Sequence, residues 1–272
     1  MKKVLIAFDN GHFSEGAFEF ARRMNEIEPI LLTGVFLPNL DYSELTFAYG
    51  GALPVVPLIK GFDPKVAEQQ LLAFQAACVR EHIEHRVHKD ERDFAFPVLQ
   101  KETRFADLLL LGSEKFYANI GTAAPNEYLR MALHEAECPV ILAPEKFAFP
   151  QSNVLAYDGS DDAAFAIKSF CSLFPAFCTN ATILVYASDK DMPEIPDLDY
   201  IKELSARHFN DLRLHVLQAD PRKYFDTWIS DMNDPILVCG SFGRSGISQL
   251  FRRSFVSEVI SDHSVPVFIA HR

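Results

Sequence analysis

The sequence lacks long apolar runs. Its first apolar run, residues 4–8, is as short as a β-strand and ends at Asp9. A membrane-spanning helix needs ~18 or more apolar residues, and a secretory signal needs an apolar stretch followed by a cleavage site. We therefore expect a cytoplasmic protein that has neither a signal peptide nor a membrane partner.

Positive charge is also scarce. The chain has 26 Lys and Arg residues against 37 Asp and Glu residues, which gives a net charge of −11. The basic residues form no stripe of the kind that binds nucleic acid or an anionic membrane surface. We therefore expect no nucleic-acid partner.

Paired cysteines are absent as well, because none of the five cysteines belongs to a CxxC pair. Cys138 and Cys239 lie beside strand-like runs, where a free thiol packs as a small apolar residue. The cysteines are therefore expected to be reduced and structural.

A histidine run offers little evidence for a metal site. His82, His85 and His88 follow one another at a spacing of three, which on a helix makes successive side chains neighbours. Three such residues drift around the helix axis, and charged residues lie among them. We interpret the run as the polar end of a helix rather than as a set of metal ligands.

Common catalytic and phosphate-binding motifs are missing too. The GxGxxG pattern, the GxxxxGK[ST] loop and the Ser-Gly-Gly pyrophosphatase loop do not occur. The residues suggest no Ser/His/Asp triad and no pair of catalytic carboxylates. The sequence thus predicts no catalytic residue and no metal ligand, and it favours a binding protein over an enzyme.

What the sequence does contain is an internal repeat. Three apolar segments recur in the same order, each without the polar alternation of a half-exposed strand. Such runs are typical of strands that are buried on both faces of a parallel sheet. The paired segments are residues 4–10 and 154–160, 108–113 and 236–241, and 138–143 and 265–270.

Helical patterns lie between these strands. Ser14 and Ser160 each precede apolar residues at helical spacing, as N-caps do. A further strand follows each helix, at residues 30–36 and 181–186, and residues 66–83 predict a long amphipathic helix. The alternation predicts an α/β fold made of two tandem doubly wound parallel-sheet domains.

The domain boundary is predicted in the short linker at residues 144–150, which begins and ends with proline. Domain 1 is then residues 1–146 and domain 2 is residues 147–272. Domain 1 contains a stretch rich in proline, glycine and aromatic residues, 37–64, that is typical of a long loop. Domain 2 is shorter at the equivalent place.

The candidate binding residues follow the predicted strands of domain 2. Ligands of doubly wound domains bind at the carboxyl ends of the strands. Asp158 follows one such strand, Gly240 and Gly243 follow another, and Arg253 and Ser254 precede a predicted helix at residues 255–261. Glycine lets the backbone approach a phosphate closely, and a helix N-terminus offers N–H groups and a positive dipole.

These segments together resemble the universal stress protein family. The features of that family are a strand that ends in Asp, a strand followed by Gly-x2-Gly-x9-Gly-Ser/Thr, and a final Pro-Val strand, and this chain matches all of them except the third glycine, over nearly its whole length. The resemblance implies an adenine nucleotide α-hydrolase-like fold. It also implies that Asp158 contacts the adenine side of ATP, while Gly240, Gly243 and Ser254 surround the phosphates and ribose.

The sequence departs from this motif at Arg253, which replaces the third glycine. Its side chain either fills the space of the phosphates or binds an anion through the guanidinium group, which suits phosphate well. Domain 1 departs further, because Lys115 replaces the second glycine and Glu127 aligns with Ser254. A carboxylate repels phosphate, so ATP or another adenine nucleotide is expected in domain 2 and not in domain 1.

We therefore expect a stress-response binding module with a modified nucleotide or anion crevice in domain 2. Two alternatives stay open: a scaffold that binds no nucleotide and acts through protein contacts, and a slow ATP hydrolase. The resemblance also implies dimerisation through the last strand of each domain, at residues 140–143 and 265–270. Within one chain these strands can pair with each other as a pseudo-dimer, and a further homodimer remains open.

Overall fold

The computed structural model describes most of the strand framework of the protein. The described residues are 1–8, 14–37, 64–89, 95–114, 132–133, 135–187, 194–217, 232–240 and 265–271. The predicted binding residues Gly243, Arg253 and Ser254, and the domain 1 positions Asp9, Lys115 and Glu127, lie outside them.

The described elements alternate between strand and helix over residues 2–112 and 152–217. The first half of the chain contains β1 (Lys2–Phe8), α1 (Glu15–Ile27), β2 (Ile30–Phe36), α2 (Pro64–Arg80), β3 (Glu84–Lys89), α3 (Ala95–Arg104), β4 (Leu108–Gly112) and β5 (Val140–Ala143). The second half contains β6 (Ser152–Ala156), α4 (Asp161–Leu173), a 3₁₀ turn (Phe177–Thr179), β7 (Ala181–Ala187), α5 (Leu198–His208), β8 (Leu212–Leu217), β9 (Pro235–Cys239) and β10 (Val267–Ile269).

The ten strands among the described residues belong to one sheet, in the order β3-β2-β1-β4-β5-β10-β9-β6-β7-β8. Neighbouring strands are parallel within each half. At the centre β10 pairs with β5 in the antiparallel sense, with Phe268 opposite Ile141. The carboxyl ends of the strands therefore lie at opposite edges of the sheet in the two halves.

This architecture confirms the predicted α/β fold class. Both halves have the same strand order when read outward from the centre. The division into domains at residue 146 stays a prediction, because the sheet runs without interruption from one half to the other.

Both faces of the sheet are covered, which explains why its central strands lack polar alternation. Along β1, Val4 and Ile6 belong to one buried cluster while Leu5 and Ala7 belong to another on the opposite face. Because both faces exclude water, an apolar residue is favoured at every position of the strand.

Both predicted helix starts are confirmed. Ser14 precedes α1, and its hydroxyl accepts a hydrogen bond from the Ala17 N–H at 3.2 Å. Ser160 precedes α4 and accepts from the Ala163 N–H at 3.1 Å. Each serine satisfies an N–H group that has no acceptor within its helix.

The placement of the histidine run at a helix end is wrong. Helix α2 ends at Arg80, and His82 lies in a turn with φ 55°. His85 and His88 belong to β3, which is an outer strand of the sheet. Among the described residues no group of three His, Cys, Asp or Glu side chains is arranged to hold a metal ion.

The linker between the halves packs against the core with two half-buried phenylalanines. The ring of Phe147 stacks on Phe20 of α1 at 5.9 Å between centroids, and Phe149 lies 5.4 Å from both Phe20 and Phe177. Aromatic side chains of both halves therefore meet on one face of the sheet.

No helix within the described ranges is long and apolar enough to cross a membrane.

Candidate functional site

The candidate site lies where two neighbouring strands of the second half end. β6 pairs with β9 in the parallel sense, so their carboxyl ends share one edge of the sheet. Asp158 follows β6, and Gly240 directly follows β9. The structure thus brings together the two predicted binding residues that it describes.

A tight turn positions Asp158. Its Oδ1 atom accepts a hydrogen bond from the Ser160 N–H at 2.9 Å. Gly159 has φ +83°, a conformation that other L-residues adopt only with strain. The carboxylate is therefore held at the strand end immediately before helix α4 begins.

Gly240 packs directly against the start of α4. A methyl group at this position would lie 2.6 Å from the Ala163 nitrogen and 2.7 Å from the Asp162 carbonyl carbon. Real Cβ atoms do not approach backbone atoms so closely, so only glycine allows the helix to sit there. In the structure, a glycine is needed at position 240 because the first turn of α4 packs against it. The sequence motif had suggested a different reason, the close approach of a phosphate.

The rim of this site is acidic. Asp161 and Asp162 occupy the first turn of α4, beside Asp158. The pKa of Tyr157 is raised by burial and then by the negative charges of Asp197 and Asp158. Tyr157 and Asp197 therefore share the electrostatic environment of Asp158.

This chemistry suits one end of a nucleotide better than the other. A carboxylate accepts hydrogen bonds from amino and hydroxyl groups, which an adenine ring and a ribose carry. It repels phosphate oxygens. The described rim therefore suits amino and hydroxyl groups of a ligand better than phosphate oxygens; Arg253 and Ser254 lie outside the described residues.

The corresponding edge of the first half contains carboxylates supplied by the chain itself. The Gly16 N–H, in the first turn of α1, donates to Glu145 Oε2 at 3.2 Å. The Glu145 N–H in turn donates to both carboxylate oxygens of Glu114, at 2.9 and 2.8 Å. Glu114 also accepts a hydrogen bond from the Ser113 hydroxyl at 3.1 Å.

Glu145 thus lies at the position where the second half offers its candidate crevice. The edge is formed by the end of β4 and the start of α1, and a methyl group at Gly112 would lie 2.7 Å from Ser14 Cβ. A carboxylate at a helix N-terminus is favoured by the dipole. An incoming anion would meet two negative charges there.

Comparison with solved structures identifies the architecture. A universal stress protein from Archaeoglobus fulgidus DSM 4304 superposes with a TM-score of 0.67 over 100% of this chain and 96% of that chain, at 16% sequence identity. The chain has the fold of a universal stress protein.

The zinc inhibited form of teicoplanin deacetylase Orf2 matches 54% of this chain and 73% of that chain at 15% identity, with a TM-score of only 0.27. No protein-family model matches the sequence. No curated protein matches it either.

Within the universal stress protein fold, the sequence does not predict every residue of the rim. Tyr157 directly follows β6, and from the sequence its aromatic ring would be expected to pack in the hydrophobic core. Pro196 lies against Gly159, with its Cβ atom 2.7 Å from where a Gly159 methyl group would be. Pro196 and Asp197 precede α5, where Asp197 has a left-handed backbone (φ 50°), and no local sequence pattern indicates that this segment reaches the rim.

Proposed function

We propose that the chain is a stress-response binding module of the universal stress protein type, and that its second half binds an adenine nucleotide or a related anionic ligand. The main support for this proposal is that Asp158 and Gly240 lie at the same edge of the sheet, beside the N-terminus of α4. Asp158 then contacts the nucleoside. Arg253 and Ser254 hold the phosphate end, together with Gly243.

The proposal also treats the chain as two related units paired within one molecule. The repeated strand order and the antiparallel pairing of β5 with β10 support this reading. The neighbour that covers the whole chain supports the fold on which it rests. Only the second unit keeps a ligand site, because Glu145 and Glu114 line the equivalent edge of the first.

The test is isothermal titration of the full chain with ATP, AMP, cyclic AMP, adenosine and inorganic triphosphate. The Asp158→Asn variant keeps an oxygen for the Ser160 N–H and removes only the charge. Since a hydrogen bond to a charged group is worth roughly 1.5–3 kcal/mol, we expect at least about tenfold weaker binding of ATP and adenosine. Binding of inorganic triphosphate should not weaken.

The matched control is Asp199→Asn, which makes the same charge change on an exposed residue in the first turn of α5. It should bind every ligand as the unmodified chain does. If no ligand releases or absorbs heat at millimolar concentration, the nucleotide proposal is wrong.

A scaffold that acts through protein contacts is the second candidate function. The observation that favours it is the edge of the first half, where the chain's own carboxylates take the place of a ligand. A chain that binds no nucleotide but co-purifies with a defined partner would support this reading. Loss of that partner after a change in the second-half rim would argue against it.

A further inference from the structure

An open cavity lies between β3 and α3, in the first half of the chain. Its volume is about 470 Å³, within the range of small-molecule sites, which is roughly 300–1,000 Å³. The residues that line it include His88 and Lys89 of β3 and Pro97, Val98, Lys101 and Glu102 of α3. In the sheet, β2 and β1 separate this cavity from β4 and from the edge that Glu145 occupies.

The strand register explains why these two elements meet. His88 lies opposite Val35 of β2, and Val35 belongs to the same buried cluster as Val98 of α3. Residues opposite each other in neighbouring strands lie on the same face of a sheet. The side chain of His88 is therefore on the face that α3 covers, and the cavity is bounded by the end of β3 and by one side of α3.

A hydrogen bond to Glu102 holds the ring of His88. The His88 Nδ1 atom lies 2.8 Å from Glu102 Oε1. Because a carboxylate only accepts hydrogen bonds, Nδ1 carries a proton and donates it, which leaves Nε2 as the ring nitrogen for a ligand. In the neutral ring Nε2 accepts from a hydroxyl group, and in the protonated ring it donates to an oxyanion.

Positive charge predominates at the cavity, although the chain as a whole has a net charge of −11. Lys89 and Lys101 line it, and among the described residues that line it Glu102 alone is acidic. The charge of Glu102 is balanced in turn, because Lys3 Nζ of β1 lies 4.0 Å from its Oε2. The cavity therefore attracts a small anion, whereas an acidic surface repels one.

We propose that this cavity binds a phosphate monoester. The phosphate lies between Lys101 and His88, Lys89 adds positive charge, and the organic group packs against Pro97 and Val98. A phosphate monoester suits both states of the His88 ring, because it carries oxyanions and, with a second pKa of roughly 6, keeps a hydroxyl in part of the population at neutral pH. A carboxylate has no such hydroxyl. The proposal does not depend on nucleotide binding in the second half.

The experiment follows the imidazole signals of the nine histidines of the full chain by two-dimensional NMR, with ¹³C at Cε1. The His88→Asn variant lacks one signal and so identifies that of His88. We expect this signal to shift saturably when phenyl phosphate is added at constant pH. Potassium chloride at matched ionic strength should not reproduce the shift.

Three further probes separate the parts of the ligand. Inorganic phosphate lacks the ring that packs against Pro97 and Val98, so it should bind more weakly than phenyl phosphate. Benzyl alcohol keeps the ring without a charge and should leave the His88 signal in place. Benzoate keeps the ring and a negative charge, and it should bind more weakly than phenyl phosphate because it lacks the hydroxyl and the second charge.

A lysine variant tests the charge of the cavity. Lys101→Met removes the ammonium group and keeps most of the aliphatic stem. Since Lys101 is exposed, we expect its loss to weaken phenyl phosphate binding about three- to tenfold. Lys202→Met is the matched control, which makes the same change on an exposed lysine of α5 and should bind as the unmodified chain does. Circular dichroism of each variant checks that it is folded.

Several results would overturn the proposal. One is a His88 signal that stays in place with millimolar phenyl phosphate, or that moves equally with chloride. Equal affinity of Lys101→Met and the unmodified chain would remove the assigned phosphate contact. Benzoate that binds as tightly as phenyl phosphate would show that the cavity does not select phosphate. Because the signal belongs to the first half, a failure of nucleotide binding in the second half leaves these readouts unchanged.

Discussion

At the scale of single residues, the glycines that end β4 and β9 have a structural reason that does not involve a ligand. Gly240 touches the first turn of α4, and Gly112 touches Ser14 at the start of α1. In both halves the helix after the first strand sits directly on the glycine. The same residue that a motif assigns to phosphate binding is therefore required by packing.

A Gly240→Ala substitution tests this role. The added methyl group meets backbone atoms that cannot rotate away, so we expect a loss of about 1–3 kcal/mol in the free energy of unfolding, as for other overpacked sites. Urea denaturation followed by circular dichroism measures it. Ala76→Ser, on the exposed side of α2, should change stability by less than about 0.5 kcal/mol.

Equal stability of Gly240→Ala and the unmodified chain would show that α4 moves aside at little cost. In that case helix packing would not explain why residue 240 is a glycine, and ligand binding would remain as the reason. Titration of the same variant with ATP would show whether the added methyl group weakens binding.

At the scale of elements, each half begins its first helix with a serine cap. The Ser160 hydroxyl accepts from Ala163, and the acidic residues Asp161 and Asp162 follow in the first turn. Both features favour a helix that starts here, because the N–H groups need acceptors and the dipole favours negative charge. The cap also holds the turn that contains Asp158.

Replacing the cap should weaken the start of α4. We expect Ser160→Ala to lose about 0.5–2 kcal/mol of stability, because the Ala163 N–H then has no side-chain acceptor. Ser160→Asp offers an acceptor again and should recover most of the loss. Chemical denaturation of the three chains gives the comparison, and an equal loss in both variants would mean that the hydroxyl acts in some other way.

The parts of the fold that could be predicted from the sequence are those that depend on local signals such as these caps. Caps and doubly buried strands are encoded by a few neighbouring residues, so α1, α4 and the central strands could be predicted. β3 is an outer strand with a polar sequence, and its histidines match helical spacing as well as they match a strand. β8 likewise has exposed residues on both faces, including Leu214 and Val216.

The candidate site was predictable only where a polar residue or a glycine comes within two residues of the end of a buried strand. Asp158 and Gly240 meet that condition. Asp197 reaches the rim from the segment before α5, and Glu145 reaches the first-half edge because the linker folds back onto α1. Contacts between distant segments depend on tertiary packing, which no local pattern contains.

At the scale of the whole molecule, the two halves share their core. Phe174 lies 6.4 Å from Phe20 of α1, 5.2 Å from Phe177 and 6.0 Å from Phe268 of β10, measured between ring centroids. The antiparallel pairing of β5 with β10, the strand of Phe268, joins the two halves of the one sheet. We therefore expect the halves to unfold together.

Truncating the shared aromatic cluster should weaken both halves at once. Phe174 is 5% exposed, and removing its ring in Phe174→Ala leaves a cavity that should lower the free energy of unfolding by about 3–5 kcal/mol. Phe174→Leu fills part of that space and should lose less. Cys78 in α2 and Cys239 in β9 are buried, so their reaction with a thiol reagent during urea denaturation reports each half separately.

In the unmodified chain both thiols should become reactive at the same urea concentration. In Phe174→Ala both should shift to lower urea by the same amount, because the ring contacts α1 as well as β10. If Cys239 became reactive at clearly lower urea than Cys78, the halves would be separately cooperative units, and the continuous sheet would join two domains without coupling their stability.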